Sequence, residues 1–152
     1  MRWVALSFFA LAAVVGAAFA FAGAGEGEAH SLQVPARHFH ARATTFVQID
    51  NGRKGSSAGD ISTFTHALTE RGGPVGRDQG YCVRILRGTS ECTMTTVLRD
   101  GRIMVAGSFD DVGVNRLAVT GGTGAYTHAS GSVSVRRAGF FQLDLTYSLS
   151  LG

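Results

Sequence analysis

The sequence predicts an all-β domain, an eight-stranded antiparallel barrel with the apolar-in, polar-out faces that strand alternation produces. Three observations carry this. From Ala43 onward, short runs rich in Thr, Val, Ile and Phe alternate with glycine-containing breaks. No segment keeps an apolar stripe at helical spacing for three turns. The runs number eight, enough antiparallel strands to close a barrel whose interior holds side chains or one small ligand.

The first two runs, Ala43–Asp50 and Asp60–Thr69, are separated by a break that contains Gly52, Gly55 and Gly59. Gln79–Leu86 follows a stretch holding Gly72, Gly73, Pro74 and Gly76, residue types that interrupt strands. Glu91–Arg99 and Arg102–Phe109 flank Asp100-Gly101, a two-residue loop whose Asp and Gly tolerate positive φ. Pairing Arg99 with Arg102 sets Leu98 opposite Ile103, Thr96 opposite Val105, Met94 opposite Gly107 and Cys92 opposite Phe109. That mostly apolar side is the expected interior. Asn115–Thr120 leads into Gly121, Gly122 and Gly124, which permit a tight reversal or a close backbone approach. Ser132–Arg137 follows. The last run, Phe140–Leu151, sets Phe141, Leu143, Leu145, Tyr147, Leu149 and Leu151 on one face and Gln142, Asp144, Thr146, Ser148 and Ser150 on the other.

A chain of 152 residues holds one domain of ordinary size. Charged residues make up 16%, and Lys plus Arg exceed Asp plus Glu by three, which excludes a disordered acidic or polybasic protein. Residues 1–22 read as a signal peptide: Arg2, an apolar run from Trp3, and small residues at Ala18-Phe19-Ala20. The same run is long enough to serve as an uncleaved anchor. Both readings place the rest of the chain outside, secreted or held at the membrane. Residues 23–42 read as a linker with room for order towards its end, and residues 43–152 as the barrel domain. His38 and His40 share a face if extended, but no third ligand is placed by sequence, so no metal is expected there. Without the leader the net charge falls to about +2 and is scattered, so nucleic acid is not an expected partner.

Cys82 and Cys92 are the only cysteines and flank a loop centred on Arg87. A turn symmetric about Arg87 brings them face to face, and export favours a disulfide over two free thiols. No Gly-x-Ser-x-Gly, His-Glu-x-x-His or Cys-x-x-Cys is present, so hydrolase and metalloenzyme readings find no support and no cofactor is expected. The glycine turn lacks the Lys-Ser/Thr of a phosphate-binding loop.

Three stretches carry a resemblance: Gly59-Asp60-Ile61-Ser62-Thr63-Phe64-Thr65-His66-Ala67-Leu68, Val75-Gly76-Arg77-Asp78-Gln79-Gly80-Tyr81-Cys82, and Leu117-Ala118-Val119-Thr120-Gly121-Gly122-Thr123-Gly124-Ala125-Tyr126. In this order they resemble the allene oxide cyclase barrel superfamily, which includes the dirigent proteins. The resemblance implies an eight-stranded antiparallel barrel around a ligand cavity. Its cyclases hold an unsaturated fatty-acid epoxide in a bent pose for ring closure, and its dirigent proteins orient phenoxy intermediates for coupling. Plant cyclases of this type resemble trimers, whereas the outward faces here alternate Ser and Thr with few large apolar residues, so the resemblance leaves a homo-oligomer open.

Carried over residue by residue, the resemblance puts Gln48 and Asp50 where cyclases have Glu and Asn. It puts His66 where they have a second Asn, Cys82 at their cysteine and Phe109 at their tyrosine. The arginines of dirigent proteins after the glycine turn are replaced by Thr127, His128, Ala129 and Ser130. Asp50 and His66 are therefore the expected catalytic pair, with Gln48 beside them, because a carboxylate next to an imidazole can move a proton on a bound carbonyl or epoxide. Phe46, Phe64, Met94 and Phe109 are expected to line the cavity. Arg84, on the face of Cys82, is expected at its mouth, where a guanidinium can hold a ligand carboxylate.

The expected function is binding of a small apolar or aromatic ligand, with its isomerisation or cyclisation steered by the cavity. A carrier without bond chemistry and a structural barrel with a filled interior are the alternatives.

Overall fold

The computed structural model describes residues 32–152, and the leader expected over residues 1–22 lies outside them. Among the described residues, nine strands form one antiparallel sheet: β1 (Leu32–Gln33), β2 (Arg37–Ile49), β3 (Ile61–Glu70), β4 (Gly73–Leu86), β5 (Thr89–Leu98), β6 (Gly101–Asp110), β7 (Val114–Gly124), β8 (Ser130–Gly139) and β9 (Gln142–Leu151). β2 to β9 pair in sequence order, and β9 pairs with both β8 and β2, which closes an eight-stranded barrel. β1 lies on β9 beyond the end of β2, with Leu32 opposite Leu151 and Arg37 opposite Tyr147. The two are one strand interrupted at Pro35, whose missing N–H cannot continue the ladder.

Strand β2 thus begins six residues before the expected Ala43, within the segment read as a linker. Its first residues alternate, with Phe39 and Ala41 buried and His38 and His40 exposed. His38 and His40 share the outer face, bonded to Thr146 and Asp144 of β9. A bulge at Thr44 inserts one residue against β3, so Ala43 and Phe46 both face inward. The β5–β6 hairpin differs from expectation by two residues: Leu98 pairs with Gly101 around an Arg99-Asp100 turn, and Cys92 faces Gly107, not Phe109. Because side chains repeat every two residues, a two-residue shift keeps the same residues inside. Gly101 is needed for contact instead, since a Cβ there would lie 2.1 Å from the Thr123 carbonyl oxygen.

The interior is filled at one end and hollow at the other. Phe39, Leu68, Ile103, Val105, Val133, Leu145 and Tyr147 occupy the half nearer the 99–100 turn and are almost fully buried. The segment 125–129 folds over that end, with Tyr126 buried beneath it. Arg37 donates to both carboxylate oxygens of Glu70, at 3.1 and 2.7 Å, and to Tyr126 Oη at 2.5 Å, and Tyr126 donates to Asp100. Arg37 also lies over the Phe39 ring, 4.7 Å from its centroid. The glycine motif permits this closure: a Cβ on Gly122 would lie 2.3 Å from the Tyr126 carbonyl oxygen. Towards the other end small inward residues, Ala43, Ser62 and Ser90, stand among the larger ones, and the barrel stays open there.

Candidate functional site

The hollow half encloses a cavity of about 250 Å³. Phe46, Phe64, Met94 and Phe109 line it, with Phe141 at the rim. Phe64 is held inward by its cross-strand partner Gly80, where a Cβ would come within 2.9 Å of the ring. Cys82 and Cys92 sit directly opposite each other on β4 and β5, 4.1 Å apart at Cα, and their disulfide forms part of the cavity wall. The turn between them is Arg87-Gly88 with a bulge at Ile85, and together these restore symmetry about Arg87.

His66 lines the cavity and is nearly buried, but its carboxylate partner is not Asp50. β2 ends at Ile49, so Asp50 leaves the barrel wall, is exposed and accepts the Gly55 N–H at 2.9 Å. The partner is Asp78, directly across from His66 on β4, with Nδ1 2.5 Å from its Oδ1. Asp78 is fully buried, and its Oδ2 has no hydrogen-bond partner among the described residues. Thr96, the β5 neighbour of Asp78, bonds the Tyr147 hydroxyl at 2.6 Å. Burial pushes the Tyr147 phenol far above its usual range, opposed by the Thr96 bond and reinforced by the charge of Asp78. Tyr147 is therefore a neutral hydroxyl buried in the filled half of the barrel.

Gln48 reaches the cavity from β2, opposite Ser62 on β3. Arg84 lines the mouth, and its Nη1 lies 3.1 and 3.0 Å from the two carboxylate oxygens of Asp111. Arg137, which sequence reasoning passed over, lines the same mouth from β8 and is exposed. Asp60 ties down the adjoining 50–60 loop: the N–H groups of Ser57 and Asn51 hold its carboxyl below the usual range.

Phe140 and Phe141, expected to open the last strand, form its preceding turn instead, with Phe141 in the left-handed region at φ 58° and Phe140 87% exposed. Of the twelve exposed large apolar side chains among the described residues, Phe46 and Phe141 line the cavity, whose mouth they share with Arg84, Asp111 and Arg137.

Residues 39–148 match the family described as allene oxide cyclase barrel like domain. The chain belongs to this family. Among solved structures, this allene oxide cyclase-like barrel is similar to a pyocyanin demethylase at 23% identity, TM-score 0.71, covering 76% of this chain and 99% of that one. It is similar to the exo-specific intermolecular Diels-Alderase AbnU at 16% identity, TM-score 0.67, covering 79% and 98%. A pterocarpan synthase dirigent protein matches at 17% identity, TM-score 0.58, covering 79% and 93%. At these identities the likeness is one of fold. No curated protein matches the chain.

Proposed function

We propose that this allene oxide cyclase-like barrel is exported, binds one small apolar or aromatic molecule in its cavity, and steers the isomerisation or cyclisation of that molecule. The observation that carries the reading is the half-filled interior, a cavity of about 250 Å³ with a mostly apolar wall, open at one end of the barrel. A structural barrel would fill this space, because an empty apolar void forfeits packing on every side. The size suits a ligand at or below the small end of drug-like molecules. The similar structures named above, a demethylase, a Diels-Alderase and a dirigent protein, add support from relatives of the same fold. Export is supported by the Cys82–Cys92 disulfide together with the leader read from the sequence.

The test is uptake of a fluorescent apolar probe, 1-anilinonaphthalene-8-sulfonate, by wild type and by Ser90→Leu, which projects a larger side chain into the cavity. Saturable binding of one probe per chain is expected, weakened at least about tenfold in Ser90→Leu at unchanged fold by circular dichroism. Equal binding by both proteins would remove the cavity as the site.

A further inference from the structure

We propose that His66 and Asp78 form a proton-transfer dyad that interconverts the enol and keto forms of a small carbonyl compound held in the cavity. This rests on the ligand-binding reading above and adds a reaction and a substrate class to it. His66 lines the cavity while its Nδ1 lies 2.5 Å from a fully buried carboxylate. A carboxylate accepts and does not donate, so Nδ1 carries the proton and Nε2 presents its lone pair. Nε2 makes no hydrogen bond among the described residues and is not among the buried atoms left without a partner, which leaves it open to the cavity. The Phe64 ring, with its centroid 5.1 Å from that of His66, offers an apolar surface beside the imidazole.

The surroundings favour a proton shuttle over a nucleophile relay. Among the described residues no hydroxyl or thiol is bonded to His66, and both cysteines are in the disulfide. The other titratable or charged groups on this interior are Tyr147 of β9, buried in the filled half, Arg84 with Asp111 at the mouth, and Arg137 from β8; β2 places Ala43 opposite His66. In the enol-to-keto direction Nε2 removes the enol O–H proton and returns it to the neighbouring carbon. The O–H and C=C π bonds are lost, C–H and C=O π bonds form, and no electrons leave the molecule. Asp78 stabilises the imidazolium between the two transfers and is a positioning residue. The substrate class is a carbonyl compound with an acidic C–H beside the carbonyl and an apolar or aromatic body.

The probe is phenylpyruvate, whose enol-to-keto conversion is followed by ultraviolet absorbance, with anilinonaphthalene sulfonate uptake and melting recorded for every protein. Wild type is expected to accelerate ketonisation at least about 100-fold over buffer, the lower range for a positioned general base. His66→Ala should fall to the buffer rate, with added imidazole restoring turnover. Asp78→Asn should lower kcat at unchanged KM. Dye uptake without acceleration overturns the dyad alone, as does wild-type turnover by His66→Ala. A change in KM with kcat intact in Asp78→Asn removes Asp78 from the dyad. Absence of dye uptake overturns the cavity reading, and this inference with it.

Discussion

Reduction of the Cys82–Cys92 disulfide tests whether this bridge stabilises the barrel by restraining the unfolded chain. The two cysteines are ten residues apart, and the loop-closure model gives about 9 cal/mol/K for a loop of that length, or about 2.7 kcal/mol at 25 °C. Strands β2 to β9 span residues 37–151. At about 2.1 cal/mol/K per residue, the unfolding entropy of a barrel this size is roughly 0.24 kcal/mol/K, so full reduction should lower Tm by about 11 °C. The assay is thermal melting followed by circular dichroism with and without a phosphine reductant, with alkylation and mass measurement to confirm two free thiols. Urea midpoints on the same samples check that the shift is one of equilibrium stability. Complete reduction with a Tm change below about 3 °C would refute the reasoning, because it would mean that the β4–β5 hairpin is already closed in the unfolded state.

Tyr147→Phe should cost about 1–3 kcal/mol in urea denaturation, because it leaves the buried Thr96 hydroxyl without its partner. Gly122→Ala should cost more than about 1–3 kcal/mol, the usual cost of overpacking, since its Cβ would meet two backbone carbonyl oxygens that cannot move independently; loss of soluble, folded protein on size exclusion would register the same effect. Acid should loosen the floor. The bond from Arg37 holds the Glu70 carboxyl below its ordinary value of 4.5, so its contribution is present above that pH and is lost as pH falls through the depressed value. Melting temperature should therefore decline below about pH 4.5, and less steeply in Glu70→Gln, as read by melts across a pH series.

The fold was legible because the barrel follows period-two alternation. The stripe from Leu143 to Leu151 and the inner face of the β5–β6 hairpin are inside, wholly or partly buried, and the hairpin stayed correct in face although its register moved by two residues. What was missed lies where local composition opposes the tertiary arrangement. The stretch from Gly72 to Gly76 reads as a break, yet β4 runs from Gly73. Pro74 sits at a register shift against β3, and Gly76 is required because a Cβ would lie 2.2 Å from the Val97 carbonyl oxygen. Beginning that strand at Gln79 left Asp78 outside it by one residue.

That single residue decided the reading of the site. Once β4 includes Asp78, strict alternation puts it in phase with Gly80 and Cys82, facing inward, and antiparallel pairing sets it across from His66. Asp50 is in phase with Gln48 by the same count, but the strand stops at Ile49 and the carboxylate turns to the Gly55 N–H. Parity selects a face only while the strand lasts, so the end of each strand carries as much chemical information as its pattern. The cavity follows the same logic. Phe64, Met94 and Phe109 mark its wall, but its volume comes from Ala43, Ser62 and Ser90, small residues whose meaning depends on facing inward at the open end. An acid–base pair was foreseeable from His66; which carboxylate completes it is set by where β2 ends and β4 begins.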